Sequence, residues 1–142
     1  KGIHHLKFAV SDLSRSLQFY ENVFHARRIV EWDHKHPDGS IYAYILDIPG
    51  LGTYLELRLN AQQAEKHRFF NVLTIAVDDR AALEQWVNIL DALNVPHSPI
   101  LVAIQAWLLV LEDPDQNRLR LYTLEMHGPE IEPDGSSAWL QD

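Results

Sequence analysis

"HLKFAVSDLSRSLQFYENVF" (residues 5–24) reads as strand, turn and helix, and its return later in the chain decides the fold. Leu6, Phe8 and Val10 alternate with His5, Lys7 and Ala9, the period of a half-buried strand. Ser11 or Asp12 can cap a helix whose Leu13, Leu17, Tyr20, Val23 and Phe24 share one stripe. "VLTIAVDDRAALEQWVNIL" (72–90) repeats the plan: Val77 falls on Val10 and Asp79 on Asp12, both 67 residues later. Trp86 sits on the stripe of this second helix and reads as core.

The segments that follow each copy also correspond. After the first come "RRIVEWD" (27–33) and "SIYAYILDI" (40–48), read as a hairpin around "HKHPDG", then a fourth strand, "TYLELRL" (53–59). After the second, Pro96 and Pro99 end the helical region. "ILVAIQAWLLVLE" (100–112) divides into two strands near Gln105, and "NRLRLYT" (117–123) closes the half, with Arg120 falling on Glu56. The expected chain is α+β: a first βαβββ module over 1–60, a linker over 61–69, a second module over 70–125 and a tail over 126–142.

Composition narrows the function classes. Twelve Lys and Arg against twenty Asp and Glu give a net charge of −8, which argues against nonspecific nucleic-acid binding. Without cysteine there is no disulfide and no thiolate metal site. No apolar run approaches transmembrane length and the first residues do not read as a signal peptide, so a cytoplasmic protein without membrane partners is expected. Gly-rich phosphate loops and Ser-His-Asp arrangements are not apparent.

"HHLKFAVSDLSRSLQFYENVF" (4–24) and "EDPDQNRLRLY" (112–122) resemble the vicinal oxygen chelate superfamily of glyoxalases, bleomycin-resistance proteins and extradiol dioxygenases. The first is near that superfamily's His-strand, Val-x-Asp-Leu turn and Phe-Tyr helix; the second is near its Asp-Pro-Asp-Gly-Asn closing motif. The resemblance implies two modules of curved sheet around a funnel-shaped pocket (the glyoxalase-like fold), a small-molecule ligand and a homodimer. In glyoxalase-like members four residues, from the first and last strand of each module, hold a divalent metal. By position the first two are His5 and Glu56, whereas Val72 and Arg120 stand where the other two ligands belong.

A guanidinium has no lone pair and keeps its charge, so Arg120 opposes a cation rather than binding one. A catalytic zinc-type site generally needs about three protein ligands. The expectation is therefore no cofactor; the alternative is one divalent ion (Fe, Mn, Ni or Zn) with a non-standard ligand set in a lyase, isomerase or dioxygenase. Arg120 has two open roles: pairing with Glu56, or receiving the anionic group of a ligand beside His5, Lys7 or Arg58. His5 and Glu56 can also serve as general base and orienting carboxylate in a metal-free enzyme, with Arg120 stabilising developing charge. Tyr54 and Tyr122 share strand parity with Glu56 and Arg120 and are read, with Trp107, as lining a pocket for a planar ligand. His4 is read as an outward or packing residue, and His34 and His36 as solvent-exposed at a hairpin turn. Binder and metal-free enzyme remain equally open at this point.

Overall fold

The computed structural model describes residues 1–141, and the chain divides into two compact units, 1–68 and 69–142. The first unit begins with strand β1 (His5–Val10) and helix α1 (Leu13–Phe24). Asp12 has extended φ/ψ and accepts the Arg15 N–H at 2.9 Å, satisfying one of the amides that a helix start leaves unpaired. The helix ends at His25, in the left-handed region at φ 55°, where Ala26 N–H closes back on Tyr20 O. Its stripe delivers Leu13, Tyr20, Val23 and Phe24 to the core.

The expected second strand is interrupted. Arg27–Arg28 (β2) and His34–Lys35 (β3) each pair with β4 (Ile41–Asp47), but Val30–Trp32 between them form a 3₁₀ turn. Arg28 holds both ends of that turn: its Nε donates to Asp33 Oδ1 at 2.9 Å, its terminal nitrogen meets Asp33 Oδ2, and its guanidinium lies 3.9 Å above the Tyr44 ring. β5 (Tyr54–Leu59) then enters between β1 and β4, parallel to β1 and antiparallel to β4. In the register Lys7 stands beside Glu56 and Glu56 beside Ile45, which fixes their side chains on one face. The segment read as a linker is helix α2 (Ala61–Lys66), capped by Asn60 and packed on β1 through the buried Ala64.

The second unit repeats the order: β6 (Asn71–Val77), α3 (Arg80–Ala92), β7 (Leu101–Val102), β8 (Ala106–Glu112) and β9 (Arg118–Met126). Its sheet runs β6-β9-β8-β7, with β6 parallel to β9, matching β1-β5-β4-β2 in the first unit. Asp79 caps α3 as Asp12 caps α1, accepting the Ala82 N–H at 2.8 Å. Asp113 folds the turn before β9, accepting from the Asp115 and Asn117 amides and the Asn117 side chain. Leu119 and Leu121 are fully buried with Leu109 and Leu111, while Arg118, Arg120 and Tyr122 take the other face. Trp86 is half-buried rather than central to the core. Beyond β9 the tail returns over this unit and ends in a 3₁₀ turn, Ala138–Leu140.

One register detail alters the expected correspondence. A bulge between Asn71 and Leu73 shifts the β6 ladder, so Asn71 stands beside Arg118 as His5 stands beside Tyr54. The counterpart of His5 is therefore Asn71, not Val72; past the bulge Thr74 lies beside Arg120 as Lys7 lies beside Glu56.

Candidate functional site

Glu56 is the centre of the first unit's inner face. It is fully buried, and its Oε1 receives both Arg58 Nε at 2.7 Å and the terminal Arg58 nitrogen at 2.6 Å. The two residues are two apart on β5, which places them on one side of the sheet. Oε2 lies 3.1 Å from His5 Nε2 and 3.6 Å from Lys7 Nζ, yet neither contact is an aligned hydrogen bond. Burial pushes the Glu56 carboxyl up. The hydrogen bond and charge of Arg58, followed by the charges of Lys7 and His34, outweigh burial and hold it below the ordinary glutamate value.

Around this carboxylate the structure brings histidines that sequence reasoning had set aside. His34, on the short β3 rather than at an exposed tip, puts Nδ1 3.6 Å from Glu56 Oε1. His4 Nδ1 is 2.8 Å from His5 Nδ1, so His4 belongs to the site as well. The His36 ring lies tilted 4.5 Å from that of Tyr42, over which Arg58 also lies at 4.9 Å. The signal for His34 was present in "HKH" (34–36), whose alternation suits a strand, but the Pro-Asp-Gly that follows favoured a turn reading.

His4, His5, Trp32, His34, Ile45 and Tyr54 line a cavity of about 210 Å³. Trp32 reaches it from the 3₁₀ turn that the Arg28–Asp33 clamp holds, and meets Tyr54 edge-on at 5.1 Å. The wall is aromatic and aliphatic, and the polar groups are imidazole nitrogens with a carboxylate behind them. Lys7 is half exposed beside it.

Of the other expected site residues, Arg120 Nε donates to Asn71 Oδ1 at 3.0 Å, the same pairing of register positions as His5 with Glu56. The guanidinium that meets Glu56 within the first unit is Arg58. Tyr122 packs on the buried cluster Leu101, Ala103, Leu108 and Val110 of the second unit. Trp107 lies 5.3 Å from the His127 ring, where the tail begins. Among the described residues no group of three or more His, Cys, Asp or Glu is arranged to hold a metal ion; His5 and His34 approach opposite oxygens of Glu56.

Two βαβββ units with an inner-face carboxylate and histidine on the first define an α+β protein of the glyoxalase-like fold. The sequence pattern of the Glyoxalase/Bleomycin resistance protein/Dioxygenase superfamily matches residues 2–121, and the chain belongs to that superfamily. The fold is shared with a fosfomycin resistance protein, FosX, from Listeria monocytogenes: 17% identity, TM-score 0.70, 88% of this chain and 94% of that one. A mutant FosX from the same organism, complexed with Mn(II) and 1S,2S-dihydroxypropylphosphonic acid, matches with 19% identity and TM-score 0.67 over 85% of this chain and 88% of that one. Lactoylglutathione lyase from Agrobacterium tumefaciens matches with 18% identity and TM-score 0.62 over 87% and 93% of the two chains. No helix among the described residues is long and apolar enough to cross a membrane.

Proposed function

We propose that the first-unit cavity binds a small planar ligand with an anionic group and does so without a divalent metal at the superfamily's ligand positions. The observation that carries this reading is the state of Glu56: its carboxylate is neutralised by Arg58 at 2.6 and 2.7 Å, with Lys7 at 3.6 Å. A cation entering here would displace or face two fixed positive charges. In the second unit the register positions of His5 and Glu56 carry Asn71 and Arg120, an amide and a guanidinium in place of an imidazole and a carboxylate. That pair offers a divalent ion no anionic ligand.

Lys7 and Arg58 against Glu56 leave a net positive charge beside the cavity when the histidines are neutral, which suits an anion. At about 210 Å³ the cavity lies below the usual range of roughly 300–1,000 Å³ for ligand pockets, so the ligand is on the scale of one ring. Trp32 and Tyr54 offer it flat apolar surfaces. In the same reading the chain is a cytoplasmic homodimer, for which Phe70, Leu124 and Met126 supply exposed apolar surface.

The His5–Glu56 contact favours a second reading, proton transfer on the bound ligand. The Glu56 charge 3.1 Å from Nε2 favours the tautomer with hydrogen there, which leaves the lone pair on His5 Nδ1. That atom is 2.8 Å from His4 Nδ1. A ligand that takes the place of His4 beside it would find His5 Nδ1 as the base, with Glu56 steadying the imidazolium.

Three measurements test these readings. Metal analysis of protein purified without chelator should find no stoichiometric Fe, Mn, Ni or Zn; such a metal, lost in His5→Ala, would overturn the metal-free reading. Benzoate should raise the melting temperature in a Tyr54-dependent way and benzyl alcohol should not; equal response to both removes the anionic requirement. Turnover of a bound aromatic acid, abolished by His5→Ala with binding kept, would select enzyme over binder.

A further inference from the structure

The second unit has an inner face built on the same register as the first, but there the space is filled by the chain's own tail. Ile45, which stands beside Glu56 and lines the first-unit cavity, has its counterpart in Val110, beside Arg120. Tyr54, another lining residue, has its counterpart in Arg118. Val110 is fully buried, and Trp139 and Leu140 pack against its cluster. The Arg118 guanidinium lies over two rings, 4.8 Å from Trp139 and 5.2 Å from Phe69, while its terminal nitrogen donates to Ala138 O at 3.3 Å. Its Nε is paired with Glu112 at 3.3 Å.

The tail thus presents a flat bicyclic ring and one oxygen acceptor to a half-buried arginine. It is fixed upstream by Asp134, whose N–H donates to Val102 O at 2.9 Å and whose carboxylate accepts the Val102 N–H at 2.7 Å. Between that anchor and the Trp139 turn lies Gly135, where a side chain would meet nothing within 4 Å.

We propose that the inner face of the second unit is a binding site for an aromatic carboxylate, and that Ser137–Gln141 is its built-in competitor, with the Trp139 ring in the place of the ligand ring and the Ala138 carbonyl in the place of the carboxylate. A ligand carboxylate improves on the tail because it is charged: a guanidinium–carboxylate contact is stronger than the guanidinium–amide contact it replaces. Arg118 and Arg120 against Glu112 give this face a net positive charge in a chain of net charge −8. The proposal stands on the packing of the tail and does not rest on the reading of the first-unit cavity.

The test uses the full chain and 2-naphthoate, with 2-naphthylmethanol as the neutral control. The indole N–H resonance of Trp139, assigned by its loss in Trp139→Phe, should move toward the position of a solvent-exposed tryptophan as 2-naphthoate is added. Trp139→Ala should bind 2-naphthoate roughly tenfold more tightly than the unaltered chain, because a competing state has been removed. Arg118→Gln in that background should abolish the gain. A Trp139 resonance unmoved at saturating 2-naphthoate overturns the proposal even where the variants fold poorly. Equal affinities of the unaltered chain and Trp139→Ala overturn it too, as does 2-naphthylmethanol binding as tightly as 2-naphthoate. Because the signal is Trp139's own, the outcome is separate from that of the benzoate experiment.

Discussion

Glu56 shows at the residue scale how a buried carboxylate is kept charged. A buried carboxylate left alone would take up a proton; Arg58 keeps it ionised by meeting it from the same strand. Removing that partner should cost on the order of 3 kcal/mol in Arg58→Met, since it leaves an uncompensated charge, and pairing it with Glu56→Gln should return most of the loss. Urea unfolding of the two variants measures this, and a double variant no better than the single would refute the pairing. His5 and Glu56 entered through the resemblance to the superfamily's ligand positions and Lys7 through its place on the His5 strand face, and the three lie side by side in the structure. Asn71 was not legible, because a bulge is invisible in an alternation of Asn, Val and Leu, and counting back five from Val77, the counterpart of Val10, lands on Val72. His34 was missed because its neighbour Pro37 reads as a turn, and its contact with Glu56 depends on a fold-back that local pattern does not encode.

Elements marked by caps and periodicity were legible nearly to the residue. Asp12 and Asp79, 67 residues apart, both cap helices, and the break near Gln105 separates β7 from β8. Either Asp→Ala change should lower stability by about 1 kcal/mol, seen as a parallel shift in denaturant midpoint; no shift would mean the cap carries nothing. The 27–33 segment was read as one strand because Ile29 and Val30 favour extension. The Arg28–Asp33 clamp overrides that preference, and its consequence is the placement of Trp32. Arg28→Ala should therefore weaken benzoate binding several-fold as well as destabilise, while Trp32→Ala should weaken binding with little change in stability. Isothermal titration and thermal melts on the pair separate the two effects, and unaltered affinity in both would remove Trp32 from the site.

Over the whole molecule, one βαβββ plan appears twice with opposite inner faces: a carboxylate and imidazoles in the first unit, guanidiniums under an indole in the second. The plan was legible because hydrophobic period and caps repeat; the difference between the faces lies in isolated side chains and in a tail with no period at all. The tail begins at His127, whose two ring nitrogens each lie 2.8 Å from a carbonyl oxygen, of Gly128 and of Ala103. Two acceptors demand two N–H groups, so these hydrogen bonds, with Glu130 nearby, raise its pKa above the usual 6.5 despite some desolvation. A raised histidine contributes stability that is fully present below its unfolded value and lost as pH climbs through its folded one. Glu56 is the opposite case: lowered from 4.5, its contribution is present above that value and lost as pH falls through the folded one. Melting temperature should consequently crest on the weakly acidic side, between these two unfolded values, and fall away in both directions. His127→Gln should flatten the alkaline limb and Glu56→Gln the acid limb. A melting temperature that keeps rising from pH 6 to 8 in the unaltered chain would mean that the His127 anchor does not hold the tail as a cation.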